Sequence, residues 1–123
     1  MTNYGKEIIL DLHNCNIEKF TRKDLRKYFK DLCILIDMQR AKLVFWDDHN
    51  VPEELQQQFP HTKGTSAVQF ILTSNITIHT LEILKRVYIN IFSCKDFDAK
   101  VAEEFTKNYF EGEVIQSTTI DRI

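Results

Sequence analysis

The chain has 123 residues, 43% hydrophobic and 11% aromatic, with a formal net charge of −2. That length suits a single domain over residues 1–123, burying roughly two-thirds of its unfolded surface, and the Phe-rich composition argues against disorder. Interspersed charge signs leave no basic stripe for nucleic acid, the apolar runs are too short to span a membrane, and MTNYGKEIILDL has no secretory cleavage site.

Cys15, Cys33 and Cys94 are odd in number and lack CxxC spacing, and His13, His49, His61 and His79 show no HxxxH pairing. A disulfide framework or a metal site is therefore not expected, and a reducing, cytoplasmic setting is.

Glu7 to Leu12 (EIILDL) reads as a buried strand ended by the polar turn HNCN. From Arg22, apolar residues at Leu25, Tyr28, Phe29, Leu32 and Ile36 mark one face of an amphipathic helix, with Thr21 as its N-cap. Lys42 to Trp46 is a short strand. Asp47 to Lys63 holds both prolines and reads as a long loop, a kind that often carries function.

Strands are then expected over Ser66 to Thr73, Asn75 to Leu81 and Arg86 to Cys94. In the last, Val87, Ile89 and Ile91 fall on one face and Tyr88, Asn90 and Phe92 on the other. Asp98 caps a second helix whose expected inner face is Val101, Ala102, Phe105 and Tyr109, and the tail from Glu113 to Ile120 is a final strand. Two helices among short, mostly antiparallel strands predict an α/β (α+β) two-layer sandwich, with both helices on one face of the sheet. The open face or edge of so small a domain needs cover, which predicts a homodimer with its site near the subunit boundary.

Singly, the chemical residues are ordinary. Ser74 lies in Thr-Ser-Asn turn chemistry, His79 shares a strand face with Asn75 and Thr77, and a free cysteine such as Cys94 is commonly buried. Together they form a pattern in LTSNITIHTLEILKRVYINIFSC, with Ser66 upstream in GTSAVQF. Ser66, Ser74, Ile78, His79, Thr80 and Cys94 resemble, in register and without a gap, the bacterial and archaeal S-adenosylmethionine decarboxylases. The likeness extends from GKEIILDLHNC to the helix around Phe105. Three departures from the family pattern stand out: Thr73 replaces a glutamate, Asn75 a histidine, and the run Leu81, Glu82 and Ile83 a Trp-Pro-Glu.

The resemblance implies a chain that cuts itself between residues 73 and 74 and makes its own cofactor, a pyruvoyl group derived from Ser74. In these roles Ser74 Oγ attacks the Thr73 carbonyl, Ser66 assists processing and His79 is the processing base. The pyruvoyl group holds the substrate amine as a Schiff base and acts as an electron sink, while Cys94 returns a proton to the substrate carbon. Phe59 and Glu82 stand nearest the family's substrate-binding aromatic and acidic positions. The implied partners are a second copy of the chain and a small amino-acid-type substrate, S-adenosylmethionine, on the route to spermidine. Two alternatives stay open: the same chemistry on ornithine or arginine, and an unprocessed, non-catalytic homologue serving as a partner or regulatory subunit.

Overall fold

The computed structural model describes residues 3–123. Alternation along each strand sorts the side chains into two faces. Ile8, Leu10 and Leu12 in β1 (Gly5–His13) point inward, as do Ile76 and Ile78 in β4 (Ser74–Leu81) and Val87, Ile89 and Ile91 in β5 (Arg86–Ser93). With β2 (Arg40–Trp46), β3 (Gly64–Ile71) and β6 (Glu113–Arg122) they form a six-stranded sheet in the order β2-β3-β4-β5-β1-β6. Every neighbouring pair is antiparallel.

Helix α1 (Arg22–Leu35) starts where Thr21 accepts a hydrogen bond from the Asp24 N–H at 3.1 Å, a cap that contributes about 1 kcal/mol. Its apolar stripe buries Leu25, Tyr28, Phe29 and Leu32 against the sheet. Helix α2 (Ala99–Phe110) is capped by Asp98, whose carboxylate accepts from the N–H groups of Lys100 and Val101. Its inner face is rotated from the sequence expectation: Ala102, Thr106 and Phe110 are buried, Phe105 and Tyr109 pack at the margin, and Val101 is 38% exposed. Thr106 is polar, so hydrophobic periodicity does not mark it as buried. Its hydroxyl pairs with the Tyr28 hydroxyl at 2.7 Å and reaches the Ala102 carbonyl, so it is satisfied inside the core and ties the two helices together. Both helices share one hydrophobic core with the inward strand residues and so lie on one face. No helix of the described residues is long and apolar enough to cross a membrane.

The other face carries no helix. Cross-strand register sets Trp46, Ser66, His79, Tyr88 and Asp11 in one row across it. A parallel row near the opposite strand ends holds Phe70, Asn75, Phe92 and Glu7. Trp46 is 82% exposed and Phe70 44%.

The β3–β4 hairpin departs from the sequence reading. β3 runs Gly64–Ile71, two residues earlier than expected at each end, because Leu72 and Thr73 form the turn and Ile71 pairs with Ser74. The turns that match strand twist need positive φ at one or both central residues. Neither Leu72 nor Thr73 has it, and the mismatch falls on Ser74, whose φ is 155°. An L residue rarely adopts that value, and such backbone costs about 1–3 kcal/mol.

Candidate active site

Two clusters form at opposite ends of the central strands. The first is built on the strained residue. Ser74 stands opposite Ser93 in the β4–β5 ladder. The Thr73 carbonyl, the group a Ser74 nucleophile would attack, accepts a hydrogen bond from the Cys94 N–H at 3.1 Å. That donor polarises the carbonyl and is placed to stay with the oxygen as negative charge grows on it. Asn75 donates its side-chain N–H to Ser74 Oγ at 3.3 Å.

Cys94 lies one residue beyond the end of β5. Its side chain is exposed, correcting the expectation of a buried thiol, while Cys15 and Cys33 are buried. The reason is the chain's turn toward α2 after Ser93, which takes Cys94 out of the pleat. Close approach of β1 holds it there: a Cβ at Gly5 would sit 2.3 Å from the Ser93 carbonyl and 2.8 Å from the Cys94 Cα. Only glycine fits at that crossing. Tyr4, Lys6, Cys94, Asp96 and Asp121 line a cavity of about 210 Å³ beside it.

The second cluster lies at the far end of the uncovered face. Ser66 and His79 are register partners on β3 and β4, and Ser66 Oγ lies 2.7 Å from His79 Nδ1. Burial disfavours the imidazolium and holds the His79 pKa below the ordinary histidine value. The ring is therefore neutral at pH 7 and able to take a proton. Trp46, Gln57, His61, Ser66 and His79 border a cavity of about 280 Å³.

The two clusters do not meet within one chain. β4 runs unbroken from Ser74 to Leu81, with no bend at residue 74 to bring His79 round. Five extended residues separate the two by about 16 Å. The expected approach of His79 to Ser74 is thereby corrected for a single chain. Glu82, in the β4–β5 turn, lines a cleft of about 630 Å³ with Phe20, Arg22, Arg26, Asp47 and Lys63. That cleft includes none of Ser66, Ser74, His79 and Cys94. Phe59 is 71% exposed in the loop between β2 and β3. Sequence reasoning missed the Cys94 N–H, a main-chain group that no residue type announces. It also missed the part played by Asn75, visible in sequence only as a departure from pattern.

If His79 is the base, its depressed pKa fixes the pH response of cleavage. The uncharged ring persists on lowering the pH past the ordinary histidine midpoint and is lost only as pH falls through the lower, folded value. Initial cleavage rates followed by intact mass should hold level from about pH 8 and fall with a midpoint below about 6.5. A midpoint above that would assign the loss to another group.

A search of the curated proteins finds no match to the sequence. The family profile of S-adenosylmethionine decarboxylase matches residues 6–123. Among solved structures, the adenosylmethionine decarboxylase of Aquifex aeolicus superposes with a TM-score of 0.78 at 18% identity. The match covers 99% of this chain and 92% of that one. The fold is that of a decarboxylase, and the chain belongs to the S-adenosylmethionine decarboxylase family.

Proposed function

We propose that the protein cuts itself between Thr73 and Ser74 and acts as a pyruvoyl-dependent S-adenosylmethionine decarboxylase in polyamine synthesis. The observation that carries this reading is the Thr73 carbonyl held on the Cys94 N–H beside a strained Ser74. A strained backbone, a hydroxyl and an oxyanion donor are what an N→O acyl shift requires, so these residues fit the group they would generate.

In the first step Ser74 Oγ bonds to the Thr73 carbonyl carbon, the C–N bond breaks, and the hydroxyl proton passes to the freed amine. A base then removes the Ser74 Cα proton, which expels the Thr73 carboxylate and leaves an alkene at residue 74. Uptake of one water and loss of ammonia completes the pyruvoyl group. That group supplies a carbonyl to condense with the substrate amine and draw off the electron pair left by CO₂. Cys94 Sγ, outside the strand and exposed, holds the proton for the substrate carbon.

The base must come from elsewhere than the same chain's His79. A second copy supplies it if the two uncovered faces pack together about a two-fold axis lying across the strands. Such packing sets the Ser66–His79 end of one copy over the Ser74–Cys94 end of the other, at the ~10 Å spacing of stacked sheets.

Mixing two disabled chains tests the shared site. Ser74→Ala and His79→Ala homodimers should each stay uncut. Co-expressed, they should form mixed dimers in which the His79→Ala chain, retaining Ser74, is cut by its partner's histidine. If co-expression yields no cut His79→Ala chain in isolated mixed dimers, sharing of the base is wrong.

A further inference from the structure

The Thr73 carbonyl sits at the end of a two-residue turn whose other member, Leu72, is 75% exposed. Its fixed position therefore needs an anchor. The Thr73 Oγ1 hydroxyl is 2.7 Å from Ser93 Oγ, and Ser93 is fully buried. Ser93 immediately precedes Cys94, so Thr73 grips one dipeptide twice, hydroxyl to hydroxyl and carbonyl to N–H. The Ser93 hydroxyl is itself held, accepting from the Lys95 N–H at 3.0 Å and lying 3.5 Å from Met38 Sδ. Met38 joins α1 to β2, so the hairpin tip is fastened to the helix layer as well.

We propose that Ser93 is a positioning residue for self-cleavage: through Thr73 it holds the scissile carbonyl on the Cys94 N–H, in line for Ser74. This rests on the self-cleavage reading and deepens it. Residue 73, a departure from the family pattern, then becomes a working part of this chain. One hydroxyl donates and the other accepts, so the bond needs no charge in a buried setting. Two short attachments leave the Thr73 peptide plane little freedom to rotate away from Ser74. The same pair outlasts the cut. When Thr73 becomes a chain end, its hydroxyl still ties the new carboxylate beside Cys94.

Cleavage rates of purified chains, read by intact mass, with hydroxylamine to trap the ester, test this. Thr73→Val keeps the side-chain shape and removes the hydroxyl, and should slow cleavage about tenfold, the scale of one hydrogen bond. Thr73→Ser should restore nearly the parent rate. Ser93→Ala should also slow cleavage, and the Thr73→Val/Ser93→Ala double variant should be no slower than the slower single, since both changes break one link. Melting temperatures of the same substitutions in a Ser74→Ala background, where nothing is cut, separate positioning from loss of fold. Unchanged melting with slowed cleavage supports the role. Thr73→Val cleaving at the parent rate, or Thr73→Ser as slow as Thr73→Val, overturns this inference alone. A parent chain that never splits overturns it together with the self-cleavage reading.

Discussion

Ser74→Ala should give a chain that stays whole indefinitely, while the parent chain yields fragments 1–73 and 74–123, the second lacking a free amine. The expected effect is complete loss, because a methyl group cannot bond to the Thr73 carbonyl carbon and no other hydroxyl takes its place. Thr73 Oγ1 is engaged with Ser93, and Ser66 lies in the row at the far end of the sheet. The variant keeps the Cys94 N–H on the Thr73 carbonyl, so polarisation without a nucleophile is what it isolates. Intact-mass measurement over days is sufficient. Splitting of the alanine variant at this bond would remove Ser74 as the nucleophile.

Cys94→Ala should separate the two halves of the chemistry. Its main-chain N–H, the donor to the Thr73 carbonyl, survives the substitution, so the chain should still cut itself. Its thiol does not survive, and turnover should fall by about 10²–10⁴-fold, the usual contribution of a placed acid. Binding of S-adenosylmethionine should change far less, since the loss lies in proton delivery. The measurement is CO₂ released per pyruvoyl group, with ornithine and arginine as alternative substrates. Undiminished turnover in the variant would leave Cys94 only its backbone role. A cut parent chain inactive on all three substrates would remove the decarboxylase reading.

Periodicity carried most of the fold. The α1 stripe and the alternation of β5 fixed their buried faces because apolar residues there follow the element's own repeat. It failed where chemistry and burial part company. Thr106 is polar yet buried, since Tyr28 and the Ala102 carbonyl satisfy it, so the α2 face came out displaced toward Val101. Leu72 does not look like a turn residue, so sequence alone carries β3 through it, whereas the strand ends at Ile71. The site followed the same division. The residue types Ser66, Ser74, His79 and Cys94 stand out together, but their spatial separation depends on an unbroken β4. The hydrogen bond from the Cys94 N–H is set by the β4–β5 register, which sequence spacing does not determine.

The strand order has a consequence for the proposed cut. A cut before Ser74 leaves β1, β2 and β3 with α1 in one fragment and β4, β5 and β6 with α2 in the other. Along the sheet these alternate in blocks, so β3 borders β4, β1 lies between β5 and β6, and three ladders join the fragments. Neither piece can leave without opening the sheet along all three seams and splitting the common core. A chain severed there would persist as one body although no covalent bond would join its parts. The cost falls on recovery. Refolding of the intact chain is a unimolecular search; two pieces would have to find each other by diffusion, without the high local concentration a tether provides. A break in this hairpin would thus make the active form dependent on having folded first as an intact chain.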